Sequence, residues 1–235
     1  MFNIKDKVKY TKGTTLLEIM VVISIFVVIS GVTVFNYGQF NSSMSTQNLI
    51  DDIALSVRRA QSYAIGVRGV GEEFIGGYGV HFSTKSLVAN KEYEGSNKSF
   101  VVFAEMGVGE AAKNFKYNYP SSYSGCGTPV INNECLEVLK ILSIDEISVI
   151  RLYGGNSTLL ATLNSSTPNA TLDILFYRPD PEPDFCYRLV STNIGCSILP
   201  NDIVYTEIDV SNNVGGVLTT RTIKISNSGQ ISTSE

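Results

Sequence analysis

The stretch KGTTLLEIMVVISIFVVISGVTVF, residues 12–35, decides how this chain is organised. Residues 14–35 hold a single charge, Glu18, and as a helix they would be roughly 33 Å long, enough to cross the hydrocarbon core of a bilayer. Residues 1–13 hold four lysines and one aspartate. Because cytoplasmic flanks favour Lys and Arg, we expect this end to stay inside and residues 36–235 to be exported.

Glu18 requires an explanation, because a carboxylate at the centre of a spanning helix costs about 2.5–3.5 kcal/mol. It lies five residues into the apolar run, where the cost is lower and the dipole of the first helical turn favours a negative charge. A second interpretation is that it meets a positive charge inside the membrane when subunits assemble. A newly freed α-amine at Thr14 of a neighbouring subunit would be such a positive charge.

The order Lys12, Gly13, Thr14, Thr15, Leu16, Leu17, Glu18, after a basic leader and before an apolar run, resembles the class III signal of type IV pilins and type II secretion pseudopilins. The resemblance implies that a prepilin peptidase cuts after Gly13 on the cytoplasmic face and N-methylates Thr14, and that Glu18 is the assembly carboxylate. Thr14 departs from the family, which usually has Phe there. The alternatives are an ordinary secretory signal cut near residues 29–31, and an uncleaved membrane anchor.

An apolar stripe predicts that the helix continues beyond the membrane segment, over residues 36–71. Its members recur every three or four residues: Leu49, Ile53, Val57, Ala60 and Ala64. We expect soft points at Gly38 and at residues 41–43, and an end in the glycines at residues 66–71.

From residue 72 onward the pattern is that of β-structure. Short runs rich in β-branched and aromatic residues are separated by Gly, Asn, Ser and Pro. They are Tyr78–Phe82, Phe100–Ala104, Leu136–Leu142, Ser148–Tyr153, Thr171–Tyr177, Cys186–Val190, Ile203–Val210 and Thr219–Ile225. The third is the weakest, because residues 144–147 also fit a helical turn.

One long helix followed by antiparallel strands predicts an α+β fold. Residues 48–69 and 221–232 are similar to the minor pseudopilins and minor pilins of the GspH/FimT type. That resemblance implies a pilin-like fold, in which the helix packs on a β-rich globular head formed by residues 72–235.

The four cysteines form two close pairs in the sequence, Cys126 with Cys135 and Cys186 with Cys196. Exported domains meet an oxidising environment in which disulfides persist. Of the three possible pairings, we favour the two local ones, because each would close a turn-rich segment that contains glycine. Free buried thiols are the alternative, and neither spacing fits a zinc knuckle.

Composition argues against other classes of function. A hydrophobic content of 43% with 17% charged residues excludes a disordered chain. The single histidine, His81, lies in a predicted strand, where a structural role is favoured over a catalytic one. The net charge is −4, and since residues 1–13 carry +3, residues 14–235 carry −7, which argues against nucleic-acid binding. We expect no cofactor: calcium at Asp180, Glu182 and Asp184 is disfavoured because the intervening prolines space the acids along an extended chain.

The sequence thus predicts a minor pilin or pseudopilin, and not an enzyme. Its expected partners are the prepilin peptidase, other pilins through the N-terminal helix, and the bacterial inner membrane before assembly into a periplasmic or extracellular filament. Two alternatives stay open. One is a filament-displayed module that binds DNA or a surface ligand, and the other is a membrane-anchored enzyme.

Overall fold

The computed structural model describes residues 13–66, 69–70, 73–74, 77–105, 115–118, 126–127, 134–167, 170–177, 180, 182–189, 196 and 202–234. Of the predicted leader, residues 1–13, all but Gly13 lie outside them. The chain divides into two compact units, Met1–Asn41 and Ser42–Glu235.

The described residues form one long helix, short 3₁₀ turns at Glu92–Glu94 and Gly155–Ser157, and twelve strands. The elements in chain order are α1 (Leu16–Ile65), β1 (Gly69–Val70), β2 (Glu73–Phe74), β3 (Gly77–Ser83), β4 (Ser99–Glu105), β5 (Cys135–Lys140), β6 (Glu146–Tyr153), β7 (Leu159–Leu163), β8 (Ala170–Tyr177), β9 (Pro183–Leu189), β10 (Tyr205–Val214), β11 (Val217–Ser226) and β12 (Ile231–Ser234).

Within the first unit, α1 exposes its large apolar side chains from Leu16 to Phe40, leaving aside residues 35 and 36. The helix is long and apolar enough to cross a membrane. Its polar side chains are satisfied locally, because the Ser24 hydroxyl donates to the Met20 carbonyl at 2.8 Å and the Thr33 hydroxyl donates to the Ser30 carbonyl at 2.8 Å. These bonds remove the cost of placing unpaired hydroxyls in an apolar medium.

The second unit contains two five-stranded antiparallel sheets. Sheet I has the strand order β5-β4-β3-β8-β9, and sheet II has the order β12-β11-β10-β6-β7. The strands β1 and β2 form a separate pair. A long N-terminal helix followed by antiparallel sheets confirms the α+β class.

The predicted helix stripe packs against the strands of the second unit. All five of its members are buried, with at most 7% of their surface exposed. They share one apolar core with inward-facing residues of both sheets, such as Val80 and Ile174 of sheet I and Ile208 and Ile223 of sheet II. Burial of this face gives the helix a stability that its own propensity would not supply.

Two local expectations can be compared directly with the structure. The helix ends at Ile65, directly before Gly66, as the glycines at residues 66–71 predicted, although residues 69–70, placed in the helical segment 36–71, form a strand. Residues 144–147 do not form a helical turn, because β6 begins at Glu146.

The disulfides join Cys126 to Cys135 and Cys186 to Cys196, the two local pairs that the spacing favours. Cys135 opens β5 and Cys186 lies in β9, at the two opposite edges of sheet I. All four cysteines belong to a second apolar cluster, with Val101, Phe103, Tyr117, Leu175 and Tyr177. Each disulfide therefore ties a connecting segment to an edge of the same sheet.

We expect the paired substitution Cys186→Ala with Cys196→Ala to lower the free energy of unfolding by about 2–3 kcal/mol, because it reopens a loop with a sequence separation of 10. The measurement is the denaturant midpoint of the oxidised full chain in detergent. Ser228→Ala, at an exposed turn residue, is the control and should leave the midpoint unchanged. An unchanged midpoint in the cysteine variant would show that this loop closure does not stabilise the fold.

Candidate processing and assembly site

The start of α1 is an exposed, capped helix terminus. Residues 13–15 precede the helix, and residues 13–18 are all exposed. The Glu18 amide donates to the Thr15 hydroxyl at 3.3 Å, and the Ile19 amide donates to the Thr15 carbonyl at 3.2 Å. Thr15 is therefore the N-cap, which fixes the first turn of the helix.

Glu18 occupies the third helical position, and Thr-x-x-Glu is the sequence pattern of a capping box. The structure places the carboxylate in the first turn, where the unpaired amides and the dipole of the helix favour a negative charge. The next acidic residue is Asp51, and residues 19–50 carry no charge at all. Glu18 is thus the single charged group of a long apolar surface and is accessible to a cation from outside the chain.

Gly13 has no packing role within the described residues. A Cβ added at this position would meet nothing within 4 Å. The same is true of Gly31 inside α1. If Gly13 is required, the requirement comes from a molecule that binds residues 13 and 14, since the fold itself does not impose it.

A buried polar cluster fastens α1 to sheet II at the beginning of the second unit. The Asp145 carboxylate accepts hydrogen bonds from Thr46 at 2.7 Å, from Asn212 at 2.5 Å, from Ser143 at 2.6 Å and from Ser45. Burial acts to raise the pKa of Asp145, but the four donors outweigh it and hold the pKa below its usual value. We call these five residues the Asp145 cluster.

A second buried cluster lies in sheet I around the single histidine. His81 Nδ1 lies 2.5 Å from Asp173 Oδ1, and His81 Nε2 lies 3.2 Å from the Glu94 carbonyl oxygen. The other oxygen of Asp173 accepts from Arg188 at 3.1 Å and from the Tyr117 amide at 3.3 Å. Burial acts to raise the pKa of Asp173, but His81, Arg188 and these hydrogen bonds hold it below its usual value. The ring of His81 is 2% exposed, so this cluster is a structural support of sheet I and offers no open site.

Both clusters make folding stability depend on pH. An aspartate whose pKa is lowered in the native state stabilises the fold above its ordinary pKa of about 3.9, and this contribution is lost as the pH falls through the lower native value. We expect the free energy of unfolding to decrease progressively below about pH 5, measured by urea unfolding of the full chain in detergent. Asp145→Asn together with Asp173→Asn should flatten that dependence, and an equally steep dependence in the double variant would contradict this assignment.

The acids considered for calcium do not converge. The Glu182 amide donates to Asp180 Oδ1 at 3.3 Å, which is a local turn, and Asp184 lies in β9 opposite Leu175 of β8. Among the described residues, no group of three His, Cys, Asp or Glu side chains is arranged to hold a metal ion. The absence of a bound cofactor stays a prediction.

Basic side chains of the second unit are largely occupied by acids. Arg151 contacts Asp209 at 2.7 Å and Glu207 at 3.3 Å. Ion pairs also join Lys85 and Lys91 to Glu94, Lys140 to Glu92, and Arg59 to Glu137. Such pairs leave little of the positive potential that phosphate binding requires.

A cavity of about 190 Å³ lies between α1 and sheet I, lined by Arg59, Tyr63, Tyr78, Val102, Gly127, Leu136 and Glu137. Ligand pockets usually measure about 300–1,000 Å³, so this cavity is small for a substrate site.

No family model, curated protein or solved structure matches this chain.

Proposed function

We propose that this chain is a minor type IV pilin or type II secretion pseudopilin, a structural subunit that performs no chemistry of its own. The observation that carries the proposal is the start of α1. An exposed Gly13-Thr14 step precedes a capped helix whose single charge, Glu18, stands in the first turn of an otherwise apolar, exposed surface.

Processing requires that a membrane peptidase reach the bond after Gly13. Residues 13–15 are exposed and precede the helix, so the peptide bond between Gly13 and Thr14 is not part of the helix. A peptidase binds its substrate as extended backbone, and residues 13–15 could adopt that form because the helix begins only at Leu16. Cleavage would create a new α-amine at Thr14.

Assembly then pairs that α-amine with Glu18 of a neighbouring subunit while the apolar helices bundle. In a medium of low dielectric, either charge alone is costly, and the attraction within the pair offsets part of the cost of both. The contact is directional, because it joins the first residue of one helix to the first turn of the next. The β-rich second unit is displayed on the filament surface or at its tip.

We expect Glu18→Gln to leave cleavage intact and to reduce incorporation into filaments on the order of tenfold, since the α-amine would lose its counter-charge, and an unpaired charge near the end of the apolar segment costs less than the about 2.5–3.5 kcal/mol of its centre. Glutamine preserves the capping-box position and removes only the charge. The measurement is the amount of mature subunit in sheared filaments, or cross-linked to other pilins in membranes, relative to the total mature subunit.

Ser24→Ala is the matched control, because it also removes a polar group from the apolar segment, but one whose hydrogen bonds are satisfied within α1. It should assemble normally. Incorporation of Glu18→Gln at the wild-type level would remove the charge-pairing step.

A further inference from the structure

Large apolar side chains are exposed at one end of sheet II. β6 begins at this end, β10 ends there and β11 begins there, because Ser211 pairs with Glu146 and Val214 pairs with Val217. The exposed side chains are Met44 of α1, Leu142 and Ile144 of the β5–β6 connection, and Val217 and Leu218 at the start of β11, and between 46% and 92% of each is accessible. We call these five residues the basal apolar surface.

The Asp145 cluster holds this surface in place. Ser143 stands between Leu142 and Ile144 and donates to Asp145, and Lys98 Nζ donates to the Ile144 carbonyl at 2.9 Å. Thr219, next to Leu218, pairs with Asn212, which donates to Asp145. The segments that carry these exposed side chains are therefore fixed to α1 by buried hydrogen bonds. The fold itself keeps the side chains exposed.

We infer that the basal apolar surface rests on the exported leaflet of the membrane that the N-terminal half of α1 enters. This inference rests on the membrane anchoring in the proposed function. Met44 lies nine positions after residue 35, the end of the apolar segment, so the chain confines Met44 to within about 32 Å of that segment. The exposed rings of Tyr37 and Phe40 lie in that interval, as is typical of the water-membrane interface.

The shape of the surface favours lipid over a second copy of the chain. Its apolar side chains lie on three separate segments, namely α1, the β5–β6 connection and the β10–β11 hairpin. The fluid surface of a lipid leaflet can accommodate separate apolar side chains without a matching groove.

The chain contains no tryptophan, so a single introduced one reports on one position. Leu142→Trp and Leu218→Trp test the surface, and Leu159→Trp is the matched control. Leu159 is also an exposed leucine, 52% accessible, but it pairs with Tyr153 at the opposite end of sheet II. Each full-length variant is reconstituted in vesicles of phosphatidylcholine and phosphatidylglycerol, with and without bromine on the acyl chains.

We expect all three variants to float with the vesicles. The tryptophan fluorescence of Leu142→Trp and Leu218→Trp should be blue-shifted and should lose most of its intensity in brominated lipid. The tryptophan of Leu159→Trp should fluoresce at the wavelength typical of water and should not be quenched by bromine. Failure to float would overturn the membrane anchor itself, and this inference with it. If the variants float but bromine quenches Leu142→Trp and Leu218→Trp no more than Leu159→Trp, this inference alone would be overturned. A blue shift that grows with protein density but is insensitive to bromine would also overturn it, because a second copy of the chain would then cover the surface.

Discussion

Gly13→Ala should leave the chain in cells as uncleaved precursor, with at least a roughly tenfold loss of the mature form, equivalent to 1.4 kcal/mol or more in the cleavage step. The reason is steric and lies in the peptidase, because the added methyl group would stand at the residue before the scissile bond. Within the described part of this chain, a Cβ at position 13 meets nothing within 4 Å, so the substitution should not disturb the fold. The measurement is the ratio of precursor to mature chain on a gel.

Gly31→Ala provides the matched control. A Cβ at that position also meets nothing within 4 Å, and α1 surrounds it on both sides. Alanine favours the helix, so this variant should be inserted and processed like the wild type. Normal processing of Gly13→Ala would mean that the peptidase does not recognise Gly13, and would argue strongly against a prepilin-type signal.

Asp173→Asn should lower the free energy of unfolding by about 3–5 kcal/mol, the largest loss of stability we expect from one substitution outside the apolar core. Asp173 is fully buried and is the shared partner of His81, Arg188 and the Tyr117 amide. Removing its charge leaves the Arg188 guanidinium, whose side chain is 16% exposed, without its carboxylate partner. The measurement is urea unfolding of the full chain in detergent at neutral pH.

Asp180→Asn is the control, since Asp180 is exposed and its change should stay within about 0.5 kcal/mol. The double variant Asp173→Asn with His81→Gln should be less unstable than the sum of its parts, because the two residues share one contact. A loss below 1 kcal/mol in Asp173→Asn would show that the buried cluster is not a main support of sheet I.

Periodicity made the helix and the central strands predictable. The five residues of the stripe fall on one face of a helix at 3.6 residues per turn, and that face is the buried one. The central strands of sheet I are covered by apolar residues on both faces, so they appear in the sequence as continuous apolar runs, as in SFVVFAE of β4. The sequence did not predict β7 and β12, because these are edge strands whose residues are largely exposed and do not alternate clearly between apolar and polar.

The polar clusters could not be predicted because their members are far apart in the chain. Asp145 lies 99 residues from Thr46, and Asp173 lies 92 residues from His81. No local pattern marks such a pair, and only the sheet order brings the partners together. The capping role of Thr15 is different, since Thr-x-x-Glu before an apolar run is a local signal that was present in the sequence.

The most direct test of the pilin proposal is the N-terminal sequence of the chain purified from cells that also make its peptidase. We predict that the mature chain begins at Thr14, whether or not the α-amine is methylated. A chain that begins at Met1 would instead be a plain membrane anchor, and one that begins near residues 29–31 would be a secreted protein without the helix, and either result would contradict the proposal.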